Sequence, residues 1–300
     1  MYDIIIIGAG PAGLTAALYA LRSGKSVLVL EGESFGGQIT LSPTIENYPG
    51  TGKISGADFA DTLMKQVTEL GGEAEFASAS GIIDGKTKTV VTEDENYESK
   101  AVIIAAGVKH RPLGLPNEPD FIGRGISYCA ICDGAFYKDK TVAVVGGGSS
   151  ALTSALYLCG ICKTVFLIHR REHFRAENAL VDKVKQKDNI KLILNSTVSG
   201  VYGEKELKRI EILSNGGAIC DIDLDALFIS IGQTPENSAF ENVAVLDNDG
   251  FIVTDELCRT GKDGIFAAGD CRKKNIRQLT TAVSDGTHAA VSACEYIDNL

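Results

Sequence analysis

Tyr2-Asp3-Ile4-Ile5-Ile6-Ile7-Gly8-Ala9-Gly10-Pro11-Ala12-Gly13 opens the chain and decides its fold. The apolar run from Tyr2 to Ile7 predicts a fully buried strand. Gly8, Gly10 and Gly13 predict a tight turn into a helix that begins near Pro11 and Ala12 and carries Leu14, Ala17, Leu18 and Leu21 on its apolar face. Gly24 ends that helix, and Ser26 to Leu30 reads as the next strand, closing on Glu31. Strand, glycine turn, helix, strand and acid, in that order, is the context a dinucleotide fingerprint requires. The glycines let the backbone approach a pyrophosphate, which rests on the helix N-terminus. Glu31 can accept hydrogen bonds from ribose hydroxyls.

The second half of the chain repeats the first. Adding 138 to the residue number carries Gly8, Gly10, Leu14, Thr15, Ala17, Leu18, Tyr19, Lys25 and Val27 onto Gly146, Gly148, Leu152, Thr153, Ala155, Leu156, Tyr157, Lys163 and Val165 without a gap. Ala101 to Gly107 is echoed by Ala226 to Gly232. An α/β fold with two Rossmann-like units follows, and with it two bound dinucleotides. In the second signature, Gly146-Gly147-Gly148-Ser149-Ser150-Ala151, both serine hydroxyls can cap the following helix. The repeat breaks at Glu31, which falls on His169, followed by Arg170, Arg171 and Arg175. An acid at that strand end suits a free 2′-hydroxyl, whereas a basic cluster suits a 2′-phosphate, so the second nucleotide is expected to be NADPH. A solvated basic face before a helix is the plain alternative, and the position at the strand end argues against it.

Between the two signatures stands Cys129-Ala130-Ile131-Cys132-Asp133. Two cysteines separated by two residues can close a small disulfide or bind a metal. The acid after the second can deliver a proton to a departing thiolate, or simply form a turn before Gly134. A dithiol between two dinucleotide sites suggests an electron path from nicotinamide through flavin and disulfide to a protein substrate. A second pair, Cys159 and Cys162, aligns with Leu21 and Gly24, which predicts apolar positions at a helix end. A zinc site made of both pairs has tolerable spacing, but it would turn Cys159 away from the core, so no metal is expected.

Several loops are candidates for cofactor contact. Gly36-Gly37-Gln38 and Glu46-Asn47-Tyr48-Pro49-Gly50 are loop chemistry in which Gln38 and Asn47 either touch a cofactor or serve as ordinary turn residues. Gly264 to Gly269 reads as a last buried strand ending at Asp270, and Arg277-Gln278 precede a helix from Leu279 to Ile297. An acid at a strand end could bind a ribityl chain, and a helix N-terminus could face an electron-rich flavin ring. The flavin domain is thus expected to be split around the NADPH domain. Proline-marked and polar stretches at Arg111 to Pro116 and Gln233 to Leu246 divide the chain into 1–112, 113–242 and 243–300.

Composition narrows the class. Three hundred residues fit two domains, and 33 glycines against 7 prolines fit many strand-to-helix turns. A formal charge of −10 disfavours nucleic acid or an anionic membrane as the main partner. Ile4 to Ile7 is too short for a signal segment, and no apolar run approaches a membrane span. A cytoplasmic protein is expected, whose 8 cysteines sit in a reducing compartment where a disulfide is catalytic rather than structural.

Taken together, GAGPAG, GGQ, ENYPG, CAICDG, GGGSSA, HRREHFRA and AAGD with RQ soon after resemble the low-molecular-weight, bacterial-type thioredoxin reductases over essentially the whole chain. The resemblance implies FAD, NADPH, a homodimer, and thioredoxin or a thioredoxin-like protein as oxidant. It implies that Cys129 and Cys132 form the redox disulfide and that Asp133 is the acid–base residue. It also implies FAD contacts from Gly8, Gly10, Pro11, Ala12, Gly13, Glu31, Gly37, Gln38, Asn47, Gly269, Asp270, Arg277, Gln278 and Leu279. For NADPH it implies Gly146, Gly148, Ser149, Ser150 and Ala151, with His169, Arg170, Arg171 and Arg175 around the 2′-phosphate. One departure bears on the partner: the family's two aromatics after Asp-Gly are here Ala135-Phe136. The rival readings are a ferredoxin-dependent reductase, a reductase of a glutaredoxin-like partner, a dithiol oxidase, and a flavoprotein redox sensor without turnover. If the arginine cluster holds a 2′-phosphate, Arg170→Ala or Arg175→Ala raises the KM for NADPH and leaves that for NADH nearly unchanged. The loss of one charge-assisted contact, about 1.5–3 kcal/mol, corresponds to roughly ten- to a hundredfold. Equal losses with both nucleotides would sink the assignment.

Overall fold

The computed structural model describes residues 1–300. The chain forms two compact units, Met1–Lys109 with Thr234–Leu300, and His110–Gln233.

The first unit is built on a seven-stranded sheet. Its order is Glu73–Phe76, Val27–Glu31, Tyr2–Ile7, Asn96–Ile104, Lys88–Val91 and Gly81–Ile83, with Ile265–Ala267 also pairing to Asn96–Ile104. The strands from Glu73–Phe76 to Asn96–Ile104 are parallel, as is Ile265–Ala267, and the last two pairings are antiparallel. Side chains alternate across a strand, so the sheet is buried on both faces. Ile4, Ile6, Val27, Val29, Ala101 and Ile103 enter one core. Ile5, Ile7, Leu28, Leu30, Val102 and Ile104 enter the other. This explains why Ile4 to Ile7 has no polar break: a parallel strand covered on both sides has no wet face.

The second unit repeats the plan. Its five strands are all parallel, in the order Ile190–Ile193, Thr164–Ile168, Thr141–Val145, Ala226–Ile229, Ile126–Ser127. Val142 and Val144 face one core, Ala143 and Val145 the other. An antiparallel sheet of Ser196–Gly203, Leu207–Ser214 and Ile219–Asp223 adds a layer. Helices Pro11–Arg22 and Ser149–Cys159 follow the strands Tyr2–Ile7 and Thr141–Val145 of their units.

Three local expectations differ from what is observed. Residues 234–242, expected with the inserted segment, belong to the first unit, where Phe240 packs with Val243 and Ala244 against the sheet. The helix after the second glycine signature is capped by Gly148, so Ser149 and Ser150 are its first residues and neither hydroxyl caps it. The stretch Ala101 to Gly107 that the repeat marks as a unit is not one element, because its strand begins earlier, at Asn96, and ends at Ile104.

The glycine turns are dictated by contact. Gly8 has φ +105°, and a Cβ there would lie 2.4 Å from the Ala105 carbonyl oxygen. Gly146 has φ +152°, and its Cβ would lie 2.3 Å from the Ser230 carbonyl oxygen. Each strand therefore reaches its turn pressed against the end of the neighbouring strand. Gly13 is held from the other side, with a Cβ placed 1.9 Å from the Gly8 carbonyl oxygen. Gly10, by contrast, faces open space, with nothing within 4 Å of its Cβ position. In cofactor-free protein, Gly13→Ala is expected to cost about 1–3 kcal/mol of unfolding free energy. Gly10→Ala stays within about 0.5 kcal/mol of the parent yet loses flavin affinity. Urea titration of the two variants, beside their flavin content, checks the contrast.

Candidate active site

The Cys129–Cys132 pair sits where the edge strand Ile126–Ser127 gives way to a single helical turn, Ala130–Asp133. The two cysteines are joined as a disulfide, with Cα atoms 5.3 Å apart. The Cys132 N–H donates to Cys129 Sγ at 3.1 Å, so negative charge on that sulfur would meet a fixed donor. The side chain between them, Ile131, is half-exposed. The other six cysteines are free. Cys159 and Cys162 lie at the end of a helix as the repeat predicted, and burial pushes the Cys162 thiol up to about 11. No group of three or more His, Cys, Asp and Glu side chains could hold a metal ion.

Asp133 follows the second cysteine in a half-buried position. Its Oδ2 accepts from the Ser127 hydroxyl at 2.6 Å, and its Oδ1 is buried without a hydrogen-bond partner. Burial pushes its carboxyl above the ordinary range, and the Ser127 hydrogen bond pulls partly the other way. A carboxyl in this setting keeps its proton to higher pH than a surface aspartate, which suits delivery of a proton to sulfur.

Residues behind the pair were not picked out from the sequence. Buried Glu118 accepts the N–H groups of Leu113, Gly114 and Leu115 at 3.0, 2.9 and 3.3 Å. It also accepts the Tyr128 hydroxyl at 3.0 Å. The Tyr128 ring stacks on His110 with centroids 4.7 Å apart. Their sequence signal was faint: an acid among prolines, and an aromatic directly before a cysteine.

At the glycine turn of the first unit, Glu31 accepts from Ala9 N at 2.7 Å and from the backbone of Glu33 and Ser34 at 2.8 and 3.1 Å. Gln38 donates to the Val108 carbonyl. Asn47 Nδ2 reaches Gln278 Oε1 at 3.4 Å, uniting two residues far apart in the chain. Gln278 also forms a reciprocal capping box with Thr281 at the start of helix Leu279–Asp298. Arg277 donates through Nε to the Asp270 carbonyl at 3.3 Å and lies over the Phe251 ring. Asp270 is paired with Lys274 at 3.2 Å, while burial pushes its carboxyl up. Behind it lies a buried charge cluster absent from the sequence reading. Asp285 receives Arg272 at 2.8 Å, Lys274 at 3.0 Å and Gly269 N at 3.1 Å. The signal was available, since Asp285 is an acid on the small-residue stripe Ala282, Gly286, Ala289.

In the second unit, Arg170, Arg171 and Arg175 are exposed after the strand Thr164–Ile168, and none forms an ion pair. Arg175 N donates to the Gly147 carbonyl at 2.7 Å, folding the basic loop back onto the glycine turn. His169 stands apart from them. It is buried, its ring lies where a Gly147 Cβ would be, and it stacks on Phe174 at 5.4 Å. Burial lowers its pKa, so it supports the turn as a neutral ring.

Two nucleotide-type units and one redox-ready cysteine pair define a nucleotide-dependent disulfide oxidoreductase. Residues 2–286 match the pyridine nucleotide-disulphide oxidoreductase family. A thioredoxin reductase from Listeria monocytogenes is 41% identical over 303 aligned positions, covering 100% of this chain and 95% of that protein. The crystal structure of thioredoxin reductase from Streptococcus pyogenes superposes with a TM-score of 0.96 at 41% identity, covering 100% of this chain and 99% of that one. A ferredoxin-flavin thioredoxin reductase from Clostridium acetobutylicum is more distant, with a TM-score of 0.54 at 29% identity and coverage of 100% and 99%. The chain belongs to the pyridine nucleotide-disulphide oxidoreductases.

FAD and NADPH are the cofactors this membership implies, and the residues present fit them. Gly10 and Gly148 both face open space beside a helix N-terminus, leaving a cradle that a Cβ would fill. The three unpaired guanidinium groups offer a phosphate donors that no carboxylate has taken.

The half-buried imidazole of His110 gives this region a pH signature. Burial lowers its pKa from an ordinary 6.5 to about 4. Between those values the unfolded chain binds a proton that the folded one refuses. Its contribution is therefore complete above pH 6.5, lost progressively as pH falls toward 4, and constant below. His110→Phe is expected to show a smaller drop in unfolding free energy from pH 7 to pH 4.5 than the parent, measured by urea titration.

Proposed function

We propose that the protein reduces the disulfide of thioredoxin, or of a thioredoxin-like protein, with electrons from NADPH passed through FAD to the Cys129–Cys132 disulfide. The observation that carries this reading is the closed cysteine pair, with a carboxyl adjacent, in a chain of two nucleotide-type units. FAD would be held in the first unit by the glycine turn at Gly8–Gly13, the loops at Glu31, Gly37, Gln38 and Asn47, and the segment from Gly269 and Asp270 to Arg277, Gln278 and Leu279. NADPH would be held in the second by Gly146, Gly148, Ser149, Ser150 and Ala151, with Arg170, Arg171 and Arg175 on the 2′-phosphate. His169 would act from beneath, by supporting the turn. When bound, NADPH supplies a hydride and FAD relays its two electrons to sulfur.

The chain's own groups do the rest. Two electrons break the Cys129–Cys132 bond, and Asp133 gives its proton to one of the two sulfurs. A thiolate of the pair attacks the partner's disulfide, forming a mixed disulfide and releasing a partner thiolate, which is protonated. The second cysteine then attacks the enzyme's sulfur in the mixed disulfide, restoring Cys129–Cys132 and releasing the reduced partner. Overall, NADPH, a proton and a disulfide become NADP⁺ and a dithiol. Ile131 beside the cysteines and Phe136 after Ala135 supply apolar contact for the partner. A homodimer in the cytoplasm is part of the same reading, and six free cysteines accord with a reducing compartment.

The test uses NADPH, NADH and reduced ferredoxin as donors to the flavin-loaded protein, with thioredoxin and oxygen as acceptors. The reading expects rapid flavin bleaching by NADPH and turnover only when thioredoxin is added. Bleaching by ferredoxin alone, turnover on oxygen, or bleaching without turnover would select the ferredoxin-dependent, oxidase and sensor readings in that order. Asp133→Asn should keep bleaching by NADPH and slow exchange with thioredoxin roughly 10²- to 10⁴-fold. Parental exchange at every pH would remove the carboxylate from the mechanism.

A further inference from the structure

We infer that Ser127 is a positioning residue of the cysteine centre, joining the two ends of the Cys129–Cys132 turn so that Asp133 stays in place when the disulfide is open. The inference rests on the proton-donor reading of Asp133. One hydroxyl makes both connections. Ser127 Oγ accepts the Cys129 N–H at 3.0 Å and donates to Asp133 Oδ2 at 2.6 Å. Its single hydrogen could also point to the Cys129 carbonyl, but that contact is 3.4 Å and the carboxyl oxygen is much nearer. Ser127 is buried and held in a parallel ladder, with its Cα opposite Phe228 in the adjoining strand. The tether therefore runs from the start and the end of the turn to the sheet.

The need for it comes from the chemistry. The helical segment Ala130–Asp133 is one turn long and cannot hold its own shape. While the cysteines are joined, the S–S bond closes that turn. Two electrons break the bond, and the covalent closure is lost at the moment a proton must pass from the Asp133 carboxyl to sulfur. Ser127 spans nearly the same interval, Cys129 to Asp133, through hydrogen bonds that electron transfer does not consume. After the proton leaves, the Ser127 O–H faces a carboxylate rather than a carboxyl, a stronger interaction that favours the product side. The other titratable group facing Asp133 is the phenol of Tyr137, pushed up to about 12 mainly by burial and hence neutral. The helix Ser149–Cys159 presents Tyr157 and Leu158 to the neighbouring Gly134.

The experiment measures dithiol–disulfide exchange with thioredoxin across pH in the flavin-loaded protein, beside flavin reduction by NADPH, for Ser127→Ala, Ser127→Thr and Asp133→Asn. Without the hydroxyl, the carboxylate loses a charge-assisted donor, so the limb of the profile set by Asp133 should move up by about one to two pH units. Ser127→Thr, which keeps the hydroxyl, should return it to the parental position. Flavin reduction by NADPH should be unchanged in both serine variants. If Asp133→Asn abolishes the limb but Ser127→Ala leaves it in place, the inference is overturned while the role of Asp133 stands. If Asp133→Asn leaves the profile intact, the proton-donor reading itself falls. Loss of flavin reduction together with exchange in Ser127→Ala would make the serine part of the scaffold, which also overturns the inference.

Discussion

In each unit, the carbonyl at the end of one strand stands almost where the first glycine's side chain would be. Gly8 meets Ala105 in this way and Gly146 meets Ser230. No residue with a Cβ fits there, and the positive φ excludes one independently. The contact fixes how the first strand turns into its helix, and so where the helix N-terminus and its free N–H groups point. Beyond it lies the space in front of Gly10 and Gly148. The binding cradles are therefore a by-product of tight packing between neighbouring strands, made twice by the same local rule.

The two units treat charge differently. The first buries Asp285 with Arg272 and Lys274 around it, and Lys274 reaches on to Asp270. Every charge there has a partner, so the loop from Gly269 to Lys274 is tied to the last helix. Near the cysteines, Asp133 is half-buried with one neutral donor on one oxygen and nothing on the other. The first arrangement suits a fixed surface for a ligand. The second leaves a carboxyl that burial makes easier to protonate than a surface aspartate.

The repeat and the doubly covered sheets were legible because their cause is local. Ile4 to Ile7 reads as buried without reference to the rest of the chain, and a second copy of the pattern removes the ambiguity of the first. The cysteine pair was legible by type and position. What escaped depends on pairings the sequence does not display. Asp285 lies in a helix whose other buried residues are mostly small, and its partners come from a loop upstream. Glu118 looks like a linker acid until its three backbone donors fold around it. His169 stood beside three arginines in sequence, but its ring turned inward beneath Gly147 while theirs stayed out. The boundary near Phe240 is hidden in the sequence because a few apolar side chains among polar ones carry no period, yet they are enough to pack against a sheet edge.

The central sheet of the first unit takes Ile265–Ala267 against Asn96–Ile104, and helix Leu279–Asp298 packs on helix Pro11–Arg22. Those pieces lie on either side of the whole insert in the chain. A ribosome making this protein therefore releases His110–Gln233 complete while the unit begun at Met1 still lacks a strand and its longest helix. The redox unit can fold as soon as it emerges, with its neighbour's apolar strands waiting for partners. The order of synthesis and the order of completion are thus reversed: the domain that starts first finishes last, and its exposed edge during that interval is the part of the nascent chain most in need of protection from aggregation.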